Sequence, residues 1–189
     1  MNLPPLILAS ASPRRAELLR VMGLEFSVLP SQAPEIQPEH LTPVETCQIN
    51  AYRKARAVAK KHPDALVLGA DTLVCLDRKI YGKPLDLPDA ERMLSELQGR
   101  EHQVITGLCL IHLRAHRQRT FADLTQVQFH PLGLEQIRAY LSRINPLDKA
   151  GAYAIQEHGE LIVARIEGSL SNVVGLPVER LRAELDDWR

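Results

Sequence analysis

The first part of the chain alternates between strand-like and helix-like patterns of apolar positions. Residues 6–9 form a short apolar run that predicts a buried strand. From Pro13 to Met22 the apolar side chains recur on one helical face, and Gly23 is placed to end that helix. A second strand is predicted over residues 25–29.

A proline-rich polar segment follows and interrupts the regular pattern. Four prolines exclude regular structure between the second strand and the next helix: Pro30, Pro34, Pro38 and Pro43. Long loops in compact proteins are commonly functional or mobile, and this one carries Glu35. Thr42, Pro43 and Glu45 then form a capping box that opens a helix, which we extend to about His62.

The remaining pattern predicts a mixed α/β protein. Further elements follow in the order strand 65–76, helix 88–97, strands 102–113 and 120–129, helix 134–144, strand 161–166 and helix 178–185. Asp77, Arg78 and Lys79 are predicted to form a tight turn, and residues 114–118 to join two long strands. Alternating elements followed by a strand pair predict a mixed sheet with flanking helices, divided into two lobes.

Composition narrows the class of protein further. The 189 residues suffice for one substantial core, and 23 basic residues balance 23 acidic ones. Zero net charge and only 4% aromatic residues argue against a nucleic-acid polymer or a membrane as partner. Cys47, Cys75 and Cys109 are too far apart for a Cys-x-x-Cys site, and we find no leader or membrane-spanning run. We therefore expect a cytoplasmic protein.

The first candidate site lies where the first strand meets the first helix. Ser10 and Ser12 are followed by Pro13, Arg14 and Arg15, with Ser12 placed to cap the helix and Pro13 as its first residue. Helix-start amides favour an anion, and arginine forks match phosphate geometry. A capped helix with two solvated arginines is the alternative, and the strand directly before it favours the phosphate site.

Asp71 is the second candidate, because a carboxylate inside an apolar strand is costly unless it is paired or metal-bound. It is either a metal ligand or general base, or a structural aspartate at a bulge beside Gly69. Lys54 and Lys83 indicate little when each is taken alone, but with the arginines they match the charge of a triphosphate. Asp71 and Glu35 are suited to hold a divalent cation.

Gln156 is the third candidate, in a loop of small residues before an apolar segment. An amide side chain both donates and accepts, which suits recognition of a nucleobase edge. An exposed glutamine in a turn before a strand is the alternative.

Taken together, the motifs resemble the Maf-like nucleoside triphosphate pyrophosphatases. The matching blocks cover nearly the whole chain in the family's order: Ser-x-Ser-Pro-Arg-Arg at 10–15, Lys-Ala at 54–55, Gly-Ala-Asp-Thr at 69–72, Lys-Pro at 83–84, His-Gln-Val-x-Thr-Gly at 102–107, Asp-Lys-Ala-Gly-Ala-Tyr at 148–153 and Val-Val-Gly-Leu-Pro at 173–177.

The resemblance implies a fold and a reaction. It implies a single domain over 1–189, with the elongated, inosine-triphosphatase-like architecture of two lobes around a central cleft, and commonly a homodimer. The family splits nucleoside triphosphates into monophosphate and pyrophosphate with Mg²⁺, Mn²⁺ or Co²⁺, removing unwanted nucleotides. Asp71 matches its proton acceptor, and Arg14, Thr72 and Gln156 match the positions linked to base choice. This set resembles the branch that acts on dTTP and UTP.

Two positions depart from that branch. Glu157 replaces a usual glycine after Gln156, and His130 stands where an arginine is usual. Two alternatives therefore stay open: a 7-methyl-GTP pyrophosphatase of the same family, and a non-catalytic, nucleotide-binding regulator of cell division.

Overall fold

The computed structural model describes residues 3–188, so the outermost residues of the predicted 1–189 domain lie outside it. The strands are β1 Leu6–Leu8, β2 Phe26–Val28, β3 Leu66–Leu76, β4 Lys79–Tyr81, β5 Glu101–His112, β6 Arg117–Phe129 and β7 Val163–Glu167. The helices are α1 Pro13–Val21, α2 Pro43–Ala59, α3 Leu87–Leu97, α4 Leu134–Leu141, α5 Leu170–Val174 and α6 Val178–Asp186. The predicted mixed α/β class is confirmed.

The strands form one seven-stranded mixed sheet in the order β2-β1-β3-β5-β6-β7, with β4 paired to β3. Strand β1 runs parallel to β2 and to β3, whereas the β3–β4 and β6–β7 pairs are antiparallel. None of the helices in the described part of the chain is long and apolar enough to cross a membrane.

The chain divides into two compact units. Within the described residues, unit 1 comprises 3–71, 106–123 and 175–188, and unit 2 comprises 72–105 and 124–174. Three of the four boundaries fall inside β3, β5 and β6, and the fourth follows α5. Asp71 is the last residue of its segment of unit 1. The central cleft and the single-domain organisation stay predictions.

Unit 1 has one hydrophobic cluster on each face of its sheet. Because side chains alternate along a strand, Leu66 and Leu68 pack with Leu19 of α1, whereas Val67 packs with Ala51 and other residues of α2. Helices α1 and α2 therefore cover opposite faces.

Two glycines let α2 lie directly on the sheet. A Cβ atom on Gly69 of β3 would lie 2.2 Å from the carbonyl oxygen of Ala51, and one on Gly107 of β5 would lie 2.4 Å from the carbonyl carbon of Cys47. No side chain fits at either point, so backbone packs on backbone.

Several predicted boundaries were wrong. Strand β3 runs without interruption through Asp71, and Gly69 lies where the strand contacts α2. Lys79, expected in the tight turn, begins β4, and α2 ends at Ala59 rather than His62. The strand predicted over 161–166 begins at Val163, after a 3₁₀ turn. The short elements β4 and α5 were not predicted, because they contain too few residues to show a periodic pattern of apolar positions.

Unit 2 encloses a buried aromatic group. His102, Phe129 and Tyr153 pack edge to face with ring centroids 4.7–5.5 Å apart. His102 Nε2 lies 2.9 Å from the Tyr153 hydroxyl, while its Nδ1 has no partner among the described residues. Burial lowers the pKa of His102 to about 4.

We expect Gly69→Ala to destabilise the protein by at least about 2 kcal/mol, because the new methyl group meets helix backbone that cannot rotate away. Gly82→Ala is the matched control, since nothing lies within 4 Å of its Cβ position; it should change stability by less than about 1 kcal/mol. Urea unfolding followed by circular dichroism measures both. Equal stability of the two variants would contradict the close packing.

The buried His102 should make the stability of the fold sensitive to acid. Its pKa is about 4 in the folded protein against an ordinary value of 6.5, so between these values the unfolded chain binds more protons. The free energy of unfolding should fall by up to about 3 kcal/mol as the pH drops from about 6.5 to about 4.

Urea titrations at several pH values measure this slope. His102→Gln has no titrating ring at this position, so its free energy of unfolding should no longer show the part of the pH dependence that His102 causes. His130→Gln, which removes an exposed ring, should keep it. An unchanged slope in His102→Gln would assign the acid sensitivity to other groups.

Candidate functional site

The topology marks one edge of unit 1 as the place for a ligand. From β1 the chain passes through α1 to β2 on one side and then returns through α2 to β3 on the other. Ligands of open α/β sheets bind beyond the carboxyl ends of the strands at such a reversal of strand order. Ser10 follows β1 at this edge, and Asp71 lies three residues beyond Leu68, the partner of Leu8.

Asp71 is buried at this edge and held through both carboxylate oxygens. Its residue exposure is 4%, and alternation along β3 directs its side chain to the α2 face, as for Gly69. Oδ1 accepts from Lys54 Nζ at 2.7 Å, and Oδ2 accepts from Asn50 Nδ2 at 3.0 Å. A buried carboxylate requires such partners. Both partners of the Asp71 carboxylate come from helix α2.

Lys54 bridges two carboxylates. Its ammonium donates to Glu35 Oε1 at 2.6 Å and to Asp71 Oδ1 at 2.7 Å, and it lies 3.4 Å from the Ala70 carbonyl oxygen. The Glu35 side chain is 54% exposed against 5% for Asp71, so the bridge runs from the interior to the surface. The structure thus brings together three of the residues that were singled out from the sequence.

The proline-rich loop is held against α2 by consecutive residues. Arg53 Nε donates to the Pro34 carbonyl oxygen at 3.4 Å, Lys54 binds Glu35, and Asn50 forms hydrogen bonds with Ile36. Asn50 was not among the site residues predicted from the sequence. The available signal was its position one helical turn before Lys54, beside the alanines that face the sheet.

Arg15 stabilises the backbone around the same edge. Its Nε donates to the Gly175 carbonyl oxygen at 2.8 Å, and its Nη1 donates to Ser10 Oγ at 3.0 Å and to the Ala70 carbonyl oxygen at 3.1 Å. Burial lowers the pKa of Arg15, while the carboxylates of Asp71 and Glu35 oppose that shift. The guanidinium stays charged and adds positive potential beside Asp71.

Ser12 occupies the N-cap position of α1, but its side chain makes no capping hydrogen bond. The predicted helix start, with Ser12 at the N-cap and Pro13 as the first residue, is confirmed, and Ser10 makes the local side-chain contacts. Ser10 Oγ accepts from the Ser12 backbone amide at 3.2 Å as well as from Arg15. Arg14 is half-buried in the first turn of α1, next to this serine pair. The phosphate-binding roles of Ser10, Ser12, Arg14 and Arg15 stay predictions.

The carboxylates fit a magnesium-type site better than an all-protein metal cage. Among residues 3–188, no three His, Cys, Asp or Glu side chains converge as metal ligands. Mg²⁺ in phosphoryl-transfer enzymes is commonly held by one or two carboxylates together with substrate phosphates and water. Asp71 and Glu35, joined through one ammonium, supply that donor set.

The remaining predicted site residues belong to unit 2. Thr72 follows Asp71 in β3, so its side chain points to the opposite face of the strand. Lys83 and Gln156 are both exposed, and Gln156 lies in a turn, which agrees with the loop or turn that both predicted alternatives gave it. Their roles in binding substrate stay predictions.

Glu157 and His130, the two departures, have structural contacts within unit 2. Glu157 Oε1 lies 3.3 Å from the ammonium of Lys149, a lysine that is 4% exposed and also donates to Asp148. The negative charge of Glu157 is therefore balanced locally. His130 has an exposed side chain, and its backbone bonds Gly99 and Ile162.

Comparison with known proteins places the chain in a family. Residues 5–188 match the family described as "Maf-like protein", and the chain belongs to that family. The resemblance read from the motifs is thereby confirmed.

Curated relatives cover almost all of the chain. A protein of Moorella thermoacetica is 49% identical over 97% of both chains, and one of Bacillus velezensis is 45% identical over 97% of this chain and 96% of its own. Both are named dTTP/UTP pyrophosphatase. The solved structure of the Staphylococcus aureus Ham1 protein has a TM-score of 0.56 at 16% identity, covering 98% of this chain and all of the other, and it shares the fold.

The bridge between Lys54 and Asp71 predicts a strong coupling in stability. Lys54→Met should lower the free energy of unfolding by about 3 kcal/mol, because it leaves the Asp71 carboxylate buried with one partner fewer. The double variant with Asp71→Asn should recover most of that loss. Arg20→Met, which removes a pair with side chains 61% and 66% exposed, should cost less than about 1 kcal/mol. Purely additive effects at positions 54 and 71 would contradict the coupling.

Proposed function

We propose that this protein hydrolyses dTTP and UTP between the α and β phosphates, giving the monophosphate and pyrophosphate. The buried Asp71, placed at the strand-order reversal with Lys54 and Glu35, carries the proposal. The names of the curated relatives support both the reaction and the pyrimidine substrates. The protein is then a hydrolase of nucleotide metabolism that removes excess or modified pyrimidine triphosphates.

In the proposed mechanism Asp71 accepts a proton from the attacking water, directly or through a second water. Oδ1 must first lose the hydrogen bond from Lys54, and the arriving phosphates give that ammonium a new anionic partner. Lys54 and Lys83 then stabilise the charge that develops on the phosphate oxygens. Arg14, Arg15, Ser10 and Ser12 are proposed to bind the phosphate chain at the start of α1.

Asp71 and Glu35 are proposed to hold a divalent cation, Mg²⁺, Mn²⁺ or Co²⁺, together with substrate oxygens. Such an ion supplies charge neutralisation of the triphosphate and lowers the pKa of a bound water. Competition between this ion and Lys54 for the same two carboxylates follows directly from the observed bridge.

Base choice is assigned to Arg14, Thr72 and Gln156. Hydrogen-bonding groups of Thr72 and Gln156 match the donor and acceptor pattern of a uracil-type base. A site built around such bonds discriminates strongly, because a wrong base leaves polar groups unpaired. Glu157 pairs with Lys149, which argues against its recruiting an amino-bearing base. A homodimer in the cytoplasm is the expected working form.

A panel of triphosphates tests the proposal. With Mg²⁺, Mn²⁺ or Co²⁺, we expect pyrophosphate release from dTTP and UTP at kcat/KM values at least about tenfold above those for dATP, GTP and 7-methyl-GTP. Asp71→Asn should retain the fold and lose at least about 100-fold in kcat, because the amide cannot accept the proton.

Three outcomes would change the proposal. A preference for 7-methyl-GTP would overturn the pyrimidine assignment but keep the reaction. Binding of nucleotides without any pyrophosphate release would favour the regulator of cell division. Unimpaired turnover by Asp71→Asn would remove Asp71 from the chemistry.

A further inference from the structure

Asn50 is a buried side chain whose hydrogen-bonding groups serve two separate segments. It lies in the middle of α2 and is 2% exposed. Its Oδ1 accepts from the Ile36 backbone amide at 2.9 Å. Its Nδ2 donates to the Ile36 carbonyl oxygen and to Asp71 Oδ2, each at 3.0 Å.

These contacts fix the orientation of the amide. The two Nδ2 hydrogens are matched by two acceptors, and Oδ1 is matched by a donor. A flipped amide would place Oδ1 against the Ile36 carbonyl oxygen and the Asp71 carboxylate, so three favourable contacts would become repulsive. Asn50 therefore holds Ile36 and Asp71 in one fixed relation.

Asn50 and Lys54 hold Asp71 in different ways. Lys54 carries a charge, so phosphates or a cation at Glu35 and Asp71 compete with its present bonds. Asn50 is neutral and turned away from solvent, so its bonds persist when the charged partners exchange. The carboxylate would then keep its rotamer through Oδ2 while Oδ1 becomes available.

We infer that Asn50 is a positioning residue for the reaction: it locks the Asp71 carboxylate through Oδ2 and anchors the segment that presents Glu35. The inference rests on the proposed function of Asp71. It assigns Asn50 a role in turnover, beyond its contribution to the stability of α2. Binding of the triphosphate is not expected to depend on it, since Asn50 is only 2% exposed.

Kinetics of two variants test this role. Asn50→Leu removes all three hydrogen bonds, and Asn50→Asp keeps an acceptor for the Ile36 amide but faces Asp71 with a second carboxylate. Both should lower kcat for dTTP at least about 30-fold while KM changes less than about threefold, the signature of an interaction that matters in the transition state. Val58→Ala, a buried substitution two turns later in α2, should lower stability but keep kcat within about twofold.

Hydrogen exchange supplies a readout that does not depend on activity. The Ile36 amide should exchange at least about 30-fold faster in Asn50→Leu than in the wild-type protein. Asn50→Asp should show a smaller increase, because its acceptor remains. Exchange across the interior of α2 should stay unchanged in both variants, which separates loss of the anchor from loss of the helix.

Each outcome decides the matter. Wild-type kcat in either Asn50 variant, or an equal loss of kcat in Val58→Ala, overturns the positioning role. A loss confined to KM overturns it as well, because it would make Asn50 a substrate-binding group. If the wild-type protein releases no pyrophosphate, the proposed function is wrong, and the role of Asn50 in turnover is wrong with it. Hydrogen exchange of the Ile36 amide then tests only whether Asn50 anchors the segment around Ile36.

Discussion

The direct contact of α2 with the sheet at Gly69 and Gly107 is the constraint on which unit 1 depends. With no side chain between them, helix and strands approach at backbone distance, which restricts the position and rotation of the helix. That rotation leaves Asn50 and Lys54, one turn apart, facing the middle of β3, where Asp71 lies. The absence of a side chain at Gly69 and Gly107 therefore helps to bring Asp71 within reach of its two partners on α2.

Burial of Asp71 explains the polar groups around it. A carboxylate that is 4% exposed loses most of its hydration, so its charge must be compensated by fixed donors. Lys54 and Asn50 supply them, and the same two residues also bind Glu35 and Ile36. Compensation of one buried charge therefore orders an otherwise irregular, proline-rich loop. Stability and the candidate chemistry depend on the same contacts.

Local sequence signals were sufficient to predict much of the fold and part of the candidate site. Proline at the first helical position, the capping box at Thr42 and apolar runs located most elements, because these effects act within a few residues. Asp71 stood out as a charge in an apolar strand. Asn50 gave no such signal, because its partner Ile36 lies fourteen residues away and only the packed helix brings them together. The contact of Gly69 with Ala51 left no local signal for the same reason, because Ala51 lies on another element.

The Lys54 bridge suggests why the charged groups of this edge occur together. Without substrate, one ammonium satisfies two carboxylates that would otherwise repel each other. In the proposed reaction, the triphosphate would give the ammonium a new anionic partner and its cation would give the carboxylates a new positive one. The edge can therefore open for chemistry without leaving a buried charge uncompensated, provided that a neutral group holds Asp71 meanwhile. Among the described residues, Asn50 has the geometry for that task, since it binds the one oxygen of Asp71 that Lys54 does not.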